Sequence, residues 1–418
     1  MADPGPRRWR EQRWLVDEAI RTTGVEWDQP RLGYTLGPVG GDGAAGDMAV
    51  IRSQVKKVAD YVPVVSSVAA RRERLAREAE DAGHGVTAGE HWFAAALLWS
   101  LAVWPLWEPS PQLLELDQRK NDAYLAWARH ATHHVERVDI PFGDGHLPAW
   151  FHLPPSFAGE PVPAVLACGG MDAPREICVA REGDGLLARG FAVLAFDGPG
   201  QGESAVHGVH VTASNWVGAG ERLLAWARER PEVDAGRLVC SGTSFGSHWI
   251  TQIAATQPSL RGCAASLPVF EPGARTIFES ACPTFKARHM FMAGLYGDED
   301  AFDRMAAEYD LRPMVAGMQV PWLVVAGEAD ELSPVEWVYE LARACPAPSS
   351  LLIYAGARHA LTESLAPVLG PSWRNAIADW LWDRVSGVPA ASDFRFVTGT
   401  GEVVSRPHPA AGSPALAR

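Results

Sequence analysis

The chain is short of cysteine and of positive charge, and each shortage excludes a class of protein. The six cysteines contain no CxxC pair and no metal-binding spacing, so we expect reduced thiols and neither a zinc site nor a disulfide framework. The formal net charge is −13, and no basic cluster rises above the ordinary. We therefore expect no nucleic-acid partner and no binding to an anionic membrane surface.

Long apolar runs are also missing. The longest, 92–107, is interrupted by Ser100 and Pro105 and is too short to span a bilayer. The N-terminus interleaves arginines with Trp9 and Trp14 and lacks the continuous apolar core of a secretory signal. The sequence therefore predicts no transmembrane helix and a cytoplasmic location.

The most informative motif present is GTSFG at 242–246. It follows a short apolar run, 237–240, and precedes a helix-like segment, 248–256. A strand, a sharp turn and a helix with a serine at the apex form a nucleophile elbow. Glycines are expected on either side because side chains there would collide with the neighbouring strand and helix. The motif predicts that Ser244 is a nucleophile presented above a sheet.

An acid and a histidine follow later in the chain, each just after an apolar run. The run 322–327 leads to Asp330, and a later run leads to His359. Serine, acid and histidine in this order are typical of α/β-hydrolases. Glu328 and Glu331 compete for the acid role, but the third residue after the strand is its usual place. The sequence thus predicts a triad of Ser244, Asp330 and His359.

Two backbone N–H groups are needed to bind the oxyanion of such a reaction. One should be that of Phe245, the residue after the nucleophile and the start of a helix. The other should come from the loop after the strand at 164–168, where Gly169 and Gly170 allow close backbone approach. This makes Gly170 or Met171 the second predicted donor.

The pattern around these motifs predicts an α/β fold with a mostly parallel central sheet and helices on both faces. Two alternating runs, 135–142 and 147–153, are joined by a glycine-containing turn and predict a β-hairpin. Continuous apolar strands then alternate with helices; the strands are expected at 164–168, 192–196, 238–240, 263–267, 322–326 and 351–354.

The periodicity also predicts how the chain is divided. Helical spacing at 48–81, 88–104 and 111–131 predicts an N-terminal helical cap over 1–133. The hydrolase core is expected over 134–386, and a helical insertion at 271–319 should form a lid over the site. The segment 387–418 is predicted to be a C-terminal tail that is either a strap across the surface or disordered, with disorder favoured after about residue 405.

The chain resembles the α/β-hydrolase superfamily over about 134–386. There, FDGPGQGES at 196–204 matches the glycine-rich loop that commonly follows the fourth strand. The long helical segment before the core, joined to the CGGM loop at 168–171, resembles the group that includes 2,6-dihydroxypseudooxynicotine hydrolase and the fungal polyketide-shortening pigment hydrolases. The resemblance implies N-terminal helices that cover the site, and it suggests a homodimer. Several members of that group cleave carbon–carbon bonds beside a ketone.

Further side chains are candidates for substrate binding or auxiliary acid catalysis. Glu271 leaves the strand at 263–267 on the same edge as the triad, where it would protonate a leaving carbanion, bind a hydroxyl, or remain a solvated loop carboxylate. His207 is a candidate for the entrance, and His248 is either auxiliary or packed behind the elbow. Four tryptophans of the helical segment would present an apolar wall to an aromatic substrate or simply pack the helices: Trp92, Trp99, Trp104 and Trp107.

These observations predict a serine hydrolase whose partner is a small-molecule substrate. The bond cleaved would be an ester or lactone, or a carbon–carbon bond beside a ketone, in a medium-sized aromatic or polyketide-like metabolite. The alternative is a lyase or cyclase that uses the same site for acyl elimination or ring closure. No cofactor or metal is implied, because neither a P-loop nor a metal spacing occurs.

Overall fold

Ten strands form one sheet in the part of the chain that the structure, a computed structural model, describes: residues 8–171, 173–179, 184–361 and 363–409. The strands are β1 (Val135–Phe142), β2 (Gly145–His152), β3 (Val162–Cys168), β4 (Ala192–Phe196), β5 (Val233–Thr243), β6 (Cys263–Ser266), β7 (Trp322–Gly327), β8 (Ser349–Tyr354), β9 (Asp393–Val397) and β10 (Val403–Ser405). Across the sheet they follow the order β1-β2-β4-β3-β5-β6-β7-β8-β9-β10.

The sheet is mostly parallel. Every neighbouring pair from β4 to β9 is parallel, whereas the pairs β1–β2, β2–β4 and β9–β10 are antiparallel. All side chains of β4 and β7 are buried, and both strands are unbroken apolar runs, as expected when helices cover both faces. The prediction of an α/β class with a mostly parallel sheet is confirmed.

The β1–β2 hairpin turns where the sequence indicated. Phe142 pairs with Gly145, so the loop is only two residues long. Gly143 adopts φ 56°, the positive value that a type II′ turn requires at its first central position. The hairpin thereby places β2 beside β4 and its glycine-rich loop.

Helices surround the sheet and precede it. They are α1 (Arg8–Thr23), α2 (Arg31–Leu36), α3 (Gly41–Gln54), α4 (Val58–Asp81), α5 (Gly85–Val103), α6 (Pro111–Ala128), α7 (Arg175–Cys178), α8 (Asp184–Leu187), α9 (Gly202–Val206), α10 (Asn215–Glu229), α11 (Phe245–Thr256), α12 (Pro283–Met292), α13 (Glu299–Ala306), α14 (Arg312–Val315), α15 (Glu336–Ala344), α16 (Ala366–Leu369) and α17 (Trp373–Val385). Short 3₁₀ turns occur at Gly37–Val39 and Pro272–Ala274, and a π-helical turn at Thr276–Ser280.

Helix α5 is the centre of the N-terminal helical layer. Every side chain over 94–103 is buried because α4 and α6 pack on either side of it. A helix that is apolar on all faces is stable only when it is enclosed in this way. The indole of Trp99 donates to the Glu73 carboxylate at 2.7 Å, so the one polar group of this buried ring is satisfied.

The N-terminal helices share a hydrophobic core with the sheet side of the molecule. Trp150 of β2, Ile177 of α7 and Phe291 of α12 all pack into the same cluster as α4, α5 and α6. The Trp150 indole donates to the buried carboxylate of Glu176 at 2.8 Å. Burial of these large side chains fixes the helices against the loops that follow β3 and β4.

Two parts of the chain differ from the sequence-based expectation. The helical stretch 48–81 is interrupted at 55–57, where Val55 is extended. The segment from 387, expected as a tail, instead adds β9 and β10 to the sheet, because Phe394 and Phe396 are buried in it. The disorder expected after about residue 405 falls mainly on 410–418, which lie outside the described residues.

Among the described helices, none combines the length and the apolar character needed to cross a membrane.

Candidate active site

Ser244 lies at the turn between β5 and α11 in a strained backbone conformation. Its φ is 58° and its ψ is −126°, and such a positive φ costs a non-glycine residue about 1–3 kcal/mol. The flanking glycines are needed because a Cβ on Gly242 would lie 2.4 Å from the Gly246 carbonyl oxygen. A Cβ on Gly246 would lie 2.4 Å from the Gly169 carbonyl oxygen. The chain therefore makes the nucleophile elbow that the motif indicated.

The structure brings together the serine, the histidine and the aspartate that the sequence selected. Ser244 Oγ lies 2.9 Å from His359 Nε2. His359 Nδ1 lies 2.8 Å from Oδ2 and 3.1 Å from Oδ1 of Asp330. The side chains of His359 and Asp330 are 5% and 1% exposed, so both are largely shielded from water. With Nδ1–H donating to Asp330, Nε2 is left to accept the serine proton.

The backbone orients the Asp330 carboxylate. The N–H groups of Leu332 and Ser333 donate to its Oδ1 at 2.9 and 3.0 Å. The competing glutamates are bound elsewhere: Glu331 accepts from the backbone N–H of His359, and Glu328 accepts from that of Gly356. Only Asp330 of the three contacts the imidazole ring.

The predicted oxyanion donors lie beside the serine. Gly170 approaches so closely that a Cβ on it would lie 2.9 Å from Ser244 Cβ. Phe245 begins α11, and Met171 lines the same cavity as Ser244. Among the described residues, no acceptor binds the backbone N–H of Phe245, Gly170 or Met171. These donors therefore remain available to a bound oxygen atom.

Gln201 of the glycine-rich loop holds the second oxyanion segment in place. Its Nε2 donates to the carbonyl oxygens of Gly169 and Gly170 at 2.6 and 3.1 Å. Its Oε1 accepts from the backbone N–H of Gly198 at 3.1 Å. Because both ends of this amide are used, the loops after β3 and β4 are locked together.

A buried charge network secures the same loop from the other side. Arg175 is fully buried and donates to Asp197 at 2.7 Å, to Glu203 at 2.6 Å and to Asn121 of α6 at 2.9 Å. Burial opposes ionisation of Glu203, but Arg175 and Arg137 outweigh it and hold the pKa of this carboxyl below its usual range. Removing one partner of such a network leaves an uncompensated buried charge, which is strongly destabilising.

One cluster in the described part of the chain has metal-binding residue types. Asp117, Glu203 and His207 bring ligand atoms within 4.8 Å of one another. The carboxylates already neutralise cations, however: Asp117 pairs with Lys120 at 2.7 Å, and Glu203 pairs with Arg175. We therefore assign no metal to this cluster.

A cavity of about 290 Å³ opens above Ser244 and His359. Its lining is mainly apolar and comes from three parts of the chain: the segment before and within α2, the loops at the ends of the strands, and the helices that follow β6 and β8. The lining residues are Gln29, Pro30, Gly33, Tyr34, Gly170, Met171, Ala173, Thr243, Ser244, Leu267, Ile277, Phe285, Leu332, His359, Ala360, Leu361, Trp373 and Arg374.

Three candidate residues do not line this cavity: the expectation of a substrate contact is corrected for Glu271 and His207, whereas His248 follows its alternative of packing behind the elbow. The carboxylate of Glu271 accepts from the backbone N–H of Thr276 at 2.6 Å and so begins the π-helical turn. The His207 side chain is half-exposed beside Glu203. His248 is buried behind the elbow and donates Nδ1–H to the carbonyl of Val269.

We expect the Glu271→Gln variant to keep turnover within about twofold of wild type and to leave its pH profile unchanged. The amide oxygen of glutamine would still accept from Thr276, and Glu271 does not line the cavity that contains Ser244. Steady-state kinetics across the pH range would check this. A changed pH profile would contradict this prediction and indicate that Glu271 takes part in catalysis.

The four tryptophans considered as a substrate wall pack the helices instead. Trp92, Trp99, Trp104 and Trp107 are all buried in the N-terminal core and absent from the catalytic cavity. The tryptophan that does line it is Trp373, at the start of α17. No sequence signal indicated Trp373 or Gln29, because neither lies near a motif.

Two buried histidines lie behind Phe245, a predicted oxyanion donor. The ring of His289 lies 4.6 Å from that of Phe245, and its Nε2 lies 2.8 Å from the hydroxyl of Tyr309. Burial lowers the pKa of His248 to about 4 and that of His289 to about 3. Both imidazoles are therefore neutral in the folded protein at neutral pH.

The lowered pKa values of these histidines predict that the folded protein becomes less stable as the pH decreases below about 6.5. The unfolded chain takes up protons there while the folded state does not, so the free energy of unfolding drops by up to about 1.4 kcal/mol per pH unit for each histidine. Denaturant unfolding at about pH 7.5 and about pH 5.5 would measure the loss. His134→Gln, which changes an exposed histidine, should not alter it, whereas equal stability at both values would contradict the prediction.

The fold and the site together define an α/β-hydrolase. The strand order, the elbow serine and the acid and histidine after β7 and β8 are the arrangement of that class. The model of one family within it, described as esterase FrsA-like, matches residues 67–300, more than half of the chain. The chain belongs to this FrsA-like esterase family.

Curated relatives are similar over part of their length. The α/β-hydrolase ucsC of Acremonium sp is 28% identical over 292 residues, which are 64% of this chain and 56% of that protein. The esterase FrsA of Yersinia enterocolitica is 26% identical over 261 residues, 60% of this chain and 61% of the relative. The chain therefore covers less than two thirds of either relative. Both names agree with a hydrolase.

Solved structures share the fold. The crystal structure of 2,6-dihydroxy-pseudo-oxynicotine hydrolase superposes with a TM-score of 0.73 at 22% identity and covers 86% of this chain and 97% of its own. AbyA5 superposes with a TM-score of 0.59 at 21% identity over 82% of this chain and 94% of its own. The resemblance to this group that the sequence indicated is confirmed.

Proposed function

We propose that the protein is a serine hydrolase in which Ser244, His359 and Asp330 form a catalytic triad that cleaves a bond to a carbonyl carbon. The observation that carries the proposal is the 2.9 Å contact between Ser244 Oγ and His359 Nε2 at the surface of the apolar cavity. The contact between the imidazole and Asp330 supports it, because it sets the tautomer that a general base needs.

The reaction would proceed through an acyl-enzyme. Ser244 Oγ attacks the carbonyl carbon while its proton passes to His359 Nε2. The N–H of Phe245 and that of Gly170 or Met171 bind the oxyanion, each contributing about 3 kcal/mol of transition-state stabilisation. His359 then returns the proton to the leaving group. Water, deprotonated by the same imidazole, releases the acyl group as a carboxylic acid.

The substrate would be a medium-sized and largely apolar metabolite. The cavity of about 290 Å³ is close to the lower end of ligand-pocket volumes, about 300 Å³. An esterase and a hydrolase of 2,6-dihydroxy-pseudo-oxynicotine are among the similar proteins, which supports hydrolysis as the reaction. An ester, a lactone and a carbon–carbon bond beside a ketone all fit the triad.

The position of Glu271 constrains carbon–carbon cleavage. Since this carboxyl lies outside the cavity, the proton for a carbon leaving group would come from His359. The carbanion must then be stabilised as an enolate or a phenolate, as in a 1,3-diketone or a hydroxyaryl ketone. Aromatic or polyketide-like compounds would meet that requirement.

Turnover in heavy-oxygen water would test hydrolysis against elimination or cyclisation. We would offer the enzyme para-nitrophenyl esters and aryl 1,3-diketones and analyse the products by mass spectrometry. One heavy oxygen atom in the carboxylic acid product is expected, because water releases the acyl group. Product formation without incorporation would contradict hydrolysis and favour the lyase or cyclase alternative.

A further inference from the structure

Gln29 is a buried polar side chain in the otherwise largely apolar catalytic cavity. It precedes α2, lines the cavity that contains Ser244 and His359, and is only 7% exposed. Its side-chain amide makes no hydrogen bond to any residue in the described part of the chain. Its amide atoms are not among the fully buried, unpartnered polar atoms, so they keep some accessible surface on a residue that lines the cavity.

The backbone that presents Gln29 is held rigidly. The neighbouring Asp28 carboxylate is buried and accepts from Arg31 at 2.9 Å and from the hydroxyl of Thr284, on α12, at 2.8 Å. The Arg31 guanidinium in turn stacks 3.9 Å above the ring of Trp104. These contacts join the segment before α2 to both the N-terminal core and the helices between β6 and β7. The backbone of Gln29 is therefore preorganised and loses little conformational freedom on binding a ligand.

An unpartnered amide in this position lowers the stability of the folded protein, and a bound ligand would remove that loss. A buried polar group without a partner is destabilising, and water in a mainly apolar cavity satisfies it only in part. Of the other lining residues in this segment, Pro30 and Gly33 offer no polar side chain, and Tyr34 makes no hydrogen bond to Gln29 among the described residues. A neutral oxygen atom on the substrate would complete the hydrogen bonding of the amide without placing a charge in the cavity.

We propose that Gln29 is a substrate-binding residue that donates a hydrogen bond to a second oxygen of the substrate, a ketone or hydroxyl oxygen remote from the scissile bond. The inference rests on the proposed function and narrows its substrate class to acyl compounds that carry a second oxygen. The N-terminal helical region would thereby select the substrate, while the loops of the sheet perform the chemistry.

The test compares esters that differ only in one distant oxygen. The panel consists of para-nitrophenyl esters of equal chain length, with a keto oxygen at successive carbons or with none. For wild type we expect at least one keto ester to exceed the plain ester in kcat/KM by about 10- to 100-fold. In Gln29→Met, which keeps the side-chain length but not the donor, this ratio should fall to near one. Gln54→Met makes the same change at an exposed site of α3 and should keep the wild-type ratio.

Labelling with a fluorophosphonate separates the two ways the experiment can fail. An adduct on Ser244 with equal kcat/KM across the panel would overturn the role of Gln29 and leave the proposed function intact. A Gln29→Met variant that lowers every rate by the same factor would also overturn it, since that result indicates a structural role. Absence of both adduct and ester turnover in wild type would contradict the proposed function itself.

Discussion

Replacing Ser244 with alanine is expected to lower kcat by about 10⁴- to 10⁶-fold, an effect as large as loss of the triad histidine would have. The Oγ atom is the only atom removed, and it is the one that lies 2.9 Å from His359 Nε2. Without it no acyl-enzyme forms, and only transition-state binding by the oxyanion N–H groups remains. Fold and stability should change little, because the backbone strain at this position persists with alanine.

Intact-mass analysis after exposure to a fluorophosphonate, run beside ester kinetics, would measure this directly. Wild type should gain one adduct, and Ser244→Ala should gain none. The matched control is Ser241→Ala on the same strand, whose buried hydroxyl has no hydrogen-bond partner among the described residues. It should label like wild type. An adduct that persists in Ser244→Ala would show that another residue is the nucleophile.

The catalytic geometry could be predicted from sequence because each of its parts is a local signal. Ser244, Asp330 and His359 each follow an apolar strand closely, and parallel strands bring their carboxyl ends to one edge of the sheet. The two glycines of the elbow lie within five residues of chain, so the motif can be recognised locally even though the Cβ clash at Gly246 involves the distant Gly169. Neither signal depends on knowing how distant segments pack.

The cavity lining could not be predicted, because it depends on packing between distant segments. Gln29 lies at the catalytic cavity because the segment that carries it is held there, in part by the hydrogen bond between its neighbour Asp28 and Thr284. These two residues are more than two hundred positions apart in sequence. Glu271 has the residue type and position of a catalytic acid, yet a π-helical turn begins at its carboxylate. No periodicity in the sequence indicates either arrangement.

The strands β9 and β10 were missed for a different reason. They are short and lie between stretches rich in proline, glycine and serine, so composition indicated a tail. The alternation that places Phe394 and Phe396 in the core is only five residues long. Strand β9 forms because it pairs with the edge of β8, which would otherwise be left unpaired.

Asp330→Asn is expected to lower kcat/KM by about 10⁴-fold although it exchanges a single atom. The N–H groups of Leu332 and Ser333 donate to Oδ1, so the carbonyl oxygen of asparagine would take that place and its NH₂ would face His359 Nδ1. Nδ1 must then accept, which moves the ring proton to Nε2. A protonated Nε2 cannot take the proton of Ser244, so both ester turnover and fluorophosphonate labelling should slow together. Glu328→Gln is the control, because in the described part of the chain the Glu328 carboxylate accepts from the backbone N–H of Gly356 and not from His359. This variant should stay within about twofold of wild type. An Asp330→Asn enzyme within about tenfold of wild type would contradict the role of Asp330 in setting the tautomer.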